Sequence, residues 1–191
     1  MTPELLHKHL KQSLHRVVAA ECTRSLRSLL EYGSAERFLT DLLFLNLHAA
    51  GHNVSREYPI HGRLACDLVL HEEALIYIEA KQLHLKDGYK IASSNLSRDL
   101  TRHNGSSLGI IYVLDERASA LSLRFTRFGG KNRNVKNGVD EILHGLNNAF
   151  SVAVPTSTNE ALLRTFDDDG RLDVFGFVVA KPVGTAATTP T

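Results

Sequence analysis

The chain has little cysteine, little net charge and no long apolar run, and each shortage narrows what it can be. Among its 191 residues only Cys22 and Cys66 carry thiols. Two thiols cannot ligate a four-cysteine iron–sulfur cluster. Placed in predicted helix and strand, they point to reduced cysteines and a cytoplasmic protein. No apolar stretch is long enough to span a bilayer, so no membrane partner is expected. The N-terminus lacks the apolar core of a signal peptide. The formal net charge is +1, less basic than a dedicated nucleic-acid binder often is. Ten histidines are present, yet their spacing makes no zinc motif. His7 and His9 point apart on a helix, His48 and His52 straddle a helix end, and no HExxH or zinc-finger spacing occurs.

What is present is concentrated in one hairpin. Cys66-Asp67-Leu68-Val69-Leu70 and Leu75-Ile76-Tyr77-Ile78-Glu79-Ala80-Lys81-Gln82 read as two apolar strands with Glu72 and Glu73 in the turn. Side chains alternate along a strand, so Glu79 and Lys81 share a face. With Asp67 opposite Glu79, the apolar Cys66, Leu68 and Leu70 oppose Ala80, Ile78 and Ile76. A one-residue slip would mix the apolar and charged sets. Hydrophobic burial thus favours the register that also gathers two carboxylates and an amine. Like charges that close destabilise the free protein unless a cation lies between them. Two carboxylates can hold a hard divalent ion through oxygen, and a lysine beside them can orient a water or offset phosphate charge.

Asp67, eleven intervening residues and then Glu79-Ala80-Lys81 resemble the signature of the PD-(D/E)XK nuclease superfamily. The motif's proline is absent, and Cys66 stands in its place. The resemblance implies an α/β, restriction-endonuclease-like core: helix, three strands, helix, strand, as a central mixed sheet flanked by helices. The chain offers that order from about Ser34 to Asp115. The resemblance further implies Mg²⁺ or Mn²⁺ held by Asp67, Glu79 and the carbonyl of Ala80, with Lys81 as the third catalytic group. Glu36 it would make a further metal-site carboxylate. As a residue, Glu36 reads equally as a first-turn glutamate favoured by the helix dipole.

Hydrophobic spacing sets out the rest. Pro3 to Tyr32 reads as a helix or helix pair. Ser34 caps a helix running to about Ala50, with Gly51 just past its end. Val54 to Ile60 is a first strand, with Pro59 marking an edge. Ser93 to Asn104 is a crossing helix. Leu108 to Leu114 is an unbroken apolar run, as in a strand covered on both faces. Ala120 to Phe128 is undecided between strand and helix. Val139 to Phe150 has helical spacing. Ala161 to Phe166 and Arg171 to Val179 flank a turn at Asp167-Asp168-Asp169-Gly170, giving a C-terminal helix and hairpin extension. A single domain over 1–181 is expected, with a flexible tail over 182–191.

Charge distribution says more than the net figure. Arg117, Arg124, Arg127, Lys131, Arg133 and Lys136 fall in a stretch without acids, with Gly129-Gly130 inside it. This reads either as a loop for phosphates or as a solvated basic loop. Arg98 and Arg102, one helical turn apart, either face the same groove or pair with Asp99. Glu57 belongs either to the site or to an exposed strand edge. The expectation is a metal-dependent phosphodiesterase acting on nucleic acid, DNA before RNA. A two-fold homodimer is one open arrangement, since such dimers are common where both strands of a duplex are cut. The alternative is a nucleic-acid-binding or assembly module with the same fold and no catalysis. A third reading is an ordinary α/β domain with a structural Asp67–Lys81 ion pair.

Overall fold

A computed structural model describes residues 1–18, 35–61, 64–84, 89–103, 105–117, 138–157, 161–167 and 170–182. Its elements are α1 (Pro3–Val18), α2 (Ala35–Ala49), β1 (Val54–His61), β2 (Leu64–His71), β3 (Leu75–His84), α3 (Tyr89–Thr101), β4 (Ser106–Arg117), α4 (Gly138–Ala149), β5 (Phe150–Val154), β6 (Leu163–Asp167) and β7 (Gly170–Pro182). The fold is α/β, and among the described residues it is a mixed seven-stranded sheet flanked by four helices. Helix, three strands, helix, strand follow one another from α2 to β4, in the expected sequence. Among the described residues no helix is long and apolar enough to cross a membrane.

The sheet order is β1-β2-β3-β4-β7-β5, with β6 also paired to β7. β1 to β3 form an antiparallel meander, and β4 runs parallel to β3 after the α3 crossover. β7 returns antiparallel along β4 from Leu108 to Arg117. Its other edge is divided between β6, over Gly170 to Val174, and β5, over Val178 to Pro182.

Strand alternation separates two apolar layers. Leu108, Ile110, Tyr112 and Leu114 of β4 face one layer with Leu6, Leu10 and Leu14 of α1 and Leu39, Leu43 and Leu47 of α2. Ile111 and Val113 face the other, with Leu96 and Leu100 of α3 and Val139, Ile142 and Leu146 of α4. Spacings of four and three or four residues on these helices make the buried stripes. The unbroken apolar run of β4 thus reflects cover on both faces. Gly109 lets α3 come close to the sheet: a Cβ there would stand 2.6 Å from Leu96 Cδ2 and 2.8 Å from Val179 Cγ2.

Several element ends differ from expectation. α2 stops as anticipated. Gly51 sits at φ 89°, its N–H donates to His48 O at 3.0 Å, and His52 N–H donates to Leu47 O at 3.1 Å. These bonds satisfy the last carbonyls of the helix. α3 begins at Tyr89, earlier than Ser93, and ends at Thr101. Phe150 does not continue α4 but opens β5, buried at 1 % exposure. Its apolar ring fits either role, and cross-strand pairing with Pro182 decides it. Pro182 accordingly belongs to β7 rather than to a tail. The second expected hairpin forms between β6 and β7, beginning at Leu163. Ser34, Ala120 to Phe128, the Asp168–Asp169 turn and 183–191 lie outside the described residues.

Candidate functional site

The β2–β3 hairpin has the register that burial favours. Leu68 pairs with Ile78, Leu70 with Ile76 and His71 with Leu75. The next pair in that register would be Asp67 with Glu79, and there the ladder stops. β2 continues from Cys66 paired only to β1, while β3 continues from Glu79 paired only to β4. The hairpin therefore forks. On the β1 side the pairing also skips Glu57, whose φ is 45°.

A fork leaves main-chain groups of β3 without a strand partner, and buried N–H groups need one. Side chains supply it. Asp67 Oδ2 accepts from Ala80 N–H at 2.7 Å. Glu36 Oε2 accepts from Gln82 N–H at 2.8 Å, while Gln82 Oε1 accepts from Glu36 N–H at 3.1 Å. The single S–H of Cys66 is shared between Ile78 O at 3.2 Å and Leu68 O at 3.1 Å. The first turn of α2 is thereby clamped to β3: Glu36 is a first-turn glutamate, and its carboxylate stands at the fork.

The carboxyl groups of Asp67 and Glu79 lie close enough to act on each other's charge. The Glu79 side chain is only 8 % exposed. Burial first, and the neighbouring Asp67 second, push its carboxyl up to about 8. Burial likewise raises Glu36, against the opposing Gln82 N–H and Lys81. For the Lys81 ammonium, burial acts downward, but Glu36, Asp67, Asp99 and Glu79 together raise it on balance. The side chain keeps 24 % of its surface exposed, so this end of β3 opens to solvent. Lys81 Nζ lies 3.4 Å from Asp99 Oδ2, and among the described residues that is its ion pair. A structural Asp67–Lys81 pair is thus replaced by Lys81–Asp99, because α3 brings Asp99 over the sheet where Gly109 leaves room.

Two residues of the site were not legible. His103, just past α3, places Nε2 2.8 Å from Glu79 Oε1 and stacks on Tyr77 with ring centroids 4.5 Å apart. Its side chain is fully buried, burial lowers its pKa, and Nδ1 finds no partner among the described residues. The one signal in the sequence was a histidine at the mouth of a crossover that returns beside the lysine strand. Cys66 was expected among the apolar side chains of its face. Its Sγ instead lies within 4.8 Å of ligand atoms of Glu79 and His103. Alternation weakens where the ladder lapses on both sides of Asp67, which frees Cys66 to turn toward the fork.

The remaining candidates fall apart from this cluster. Arg102 Nη1 lies 3.0 Å from Asp99 Oδ1 and Arg98 Nε 3.7 Å from it. Both arginines stay largely exposed beside the site. Glu57 is 63 % exposed and pairs with Arg37 at 3.2 Å, which makes it an edge-strand residue. Arg124, Arg127, Lys131, Arg133 and Lys136 lie outside the described residues, as does the side chain of Arg117.

Hard oxygen donors converge at the fork: Asp67, Glu79 and the Ala80 carbonyl, which in a strand points to the same side as its own N–H. Two carboxyl groups pressed together until one retains its proton are what a divalent cation relieves. Comparison with protein-family models, with curated proteins and with solved structures returns no match.

Proposed function

We propose that the chain is a metal-dependent nuclease with a restriction-endonuclease-like core running from α2 to β4, hydrolysing phosphodiester bonds in DNA. The observation that carries this reading is the forked hairpin, where the carboxyl groups of Asp67 and Glu79 meet beside an open strand edge and next to Lys81. Asp67, Glu79 and the Ala80 carbonyl would hold Mg²⁺ or Mn²⁺, with Glu36 close by. Such an ion acidifies a bound water and neutralises charge on the scissile phosphate. Lys81, kept charged by four surrounding carboxylates, positions the attacking water and stabilises the crowded phosphate. Asp99 holds the ammonium in place, and His103 orients Glu79 through Oε1. Arg98 and Arg102, exposed beside Asp99, supply contacts to the phosphate backbone.

Asp67→Ala and Lys81→Ala should each lower Mg²⁺-dependent cleavage of plasmid and oligonucleotide substrates by on the order of a hundredfold or more. Their circular dichroism should match the parent chain. Cleavage by both variants at the parental rate would refute the reading. A module that binds nucleic acid or an assembly partner without cutting is the second reading, favoured by one observation: Lys81 is already ion-paired to Asp99. Mn²⁺ titration separates them, since the nuclease must bind the ion through Asp67 and Glu79.

A further inference from the structure

Behind the oxygen-rich fork lies a second donor set of different chemistry. Cys66 Sγ, a Glu79 carboxylate oxygen and a His103 ring nitrogen all lie within 4.8 Å of one another. They come from β2, β3 and the segment after α3, so three separate parts of the fold converge on them. All three residues are buried. His103 is fixed by stacking on Tyr77 and by its contact with Glu79. Thiolate, imidazole and carboxylate together suit Zn²⁺, which takes four tetrahedral ligands at about 2.0 to 2.3 Å. Mg²⁺ requires oxygen and suits the Asp67 side of Glu79 instead.

We propose that Cys66, Glu79 and His103 form a site for Zn²⁺ or a similar thiophilic divalent ion, with water as the fourth ligand. Binding forms one metal bond each to sulfur, nitrogen and oxygen as two protons leave to solvent, the thiol proton of Cys66 and the proton shared between His103 Nε2 and Glu79, so the hydrogen bond between those two is given up. Tetrahedral ligand separations fall between the 2.8 Å of the His103–Glu79 contact and the 4.8 Å that bounds the set. Glu79 then cannot serve the oxygen site fully. This consequence rests on the nuclease reading: Zn²⁺ acts as an inhibitor of Mg²⁺-dependent cleavage by taking a shared carboxylate.

Co²⁺ is the direct probe, because a thiolate ligand gives it a near-ultraviolet sulfur-to-cobalt charge-transfer band. The full chain titrated with Co²⁺ should show that band at one ion per chain, and Zn²⁺ should abolish it by displacement. Cys66→Ser should lose the band and Cys22→Ser should keep it. His103→Gln leaves the sulfur in place and should weaken Co²⁺ binding by at least about tenfold. A parent chain without the band overturns the site, and so does a band that survives Cys66→Ser. A chain that shows the band but cuts nothing keeps the Zn²⁺ site and ends the nuclease reading. Cleavage by a chain without the band does the reverse. Where both hold, the ratio of rates with and without Zn²⁺ should fall at least about tenfold for the parent and stay near unity for Cys66→Ser.

Discussion

Glu79 is where burial and charge act most directly against each other. Its carboxyl moves from an ordinary 4.5 up to about 8, through burial and then through Asp67. The folded chain therefore holds this proton more tightly than the unfolded chain does. The resulting stability is fully present below 4.5 and is lost as pH rises through about 8. Metal-free protein should lose stability over that window, by an amount on the order of a few kcal/mol. Glu79→Gln, which carries no charge at any pH, should flatten the profile. Urea midpoints collected across the window decide it: parent and variant curves of equal slope would show that Glu79 titrates normally. Asp67, Glu79 and Lys81 were legible because strand alternation and burial together fix a register. His103 was not, because its approach depends on where a crossover re-enters the sheet. Cys66 was misjudged because alternation holds only while a ladder persists.

At the scale of elements, the site depends on how close α3 can come to β3 and β4. Gly109 lies in register with Glu79 on β3, and above it Leu96 leaves no space for a side chain. Asp99 follows Leu96 by three residues on the same helix, and His103 lies just beyond. Gly176 is the matching position on the opposite face, where a Cβ would run into Leu162 and Leu10 of the α1 layer. Gly109→Ala and Gly176→Ala should both destabilise, each by about 1–3 kcal/mol. Only Gly109→Ala should also weaken Mn²⁺ binding, because it alone lifts Asp99 and His103 away from Lys81 and Glu79. Chemical denaturation read beside Mn²⁺ titration tests this, and equal metal affinity in the two variants would sink it. The hairpin and its partners in the α2-to-β4 order were readable from periodicity. The close approach of α3 was not, since a lone glycine in an apolar run does not say which neighbour needs the space.

At the scale of the molecule, stability should be greatest where the two apolar layers share a strand. β4 and β7 lie between them, with Ile110, Ile111, Tyr112 and Val113 beside Phe177, Val178 and Val179, all nearly or fully buried. This pairing joins distant parts of the chain, so sequence periodicity could mark both strands without pairing them. The same holds for β5, a short strand decided by its contact with Pro182. The fork lies away from that centre, and side chains rather than a strand complete its hydrogen bonding. Amide exchange should therefore be slowest in β4 and β7, at the level of global unfolding. The amides of Ala80 and Gln82 should be protected through carboxylates alone. A hydrogen bond to a charged group contributes about 1.5–3 kcal/mol, so Asp67→Ala should speed exchange at Ala80 by about tenfold to a hundredfold. Glu36→Ala should do the same at Gln82. Neither should change the rank of the β4 amides. Unchanged exchange at Ala80 in Asp67→Ala would mean that the strand edge is satisfied by something other than the carboxylate, and the fork would then lose its role in holding Asp67 toward Glu79.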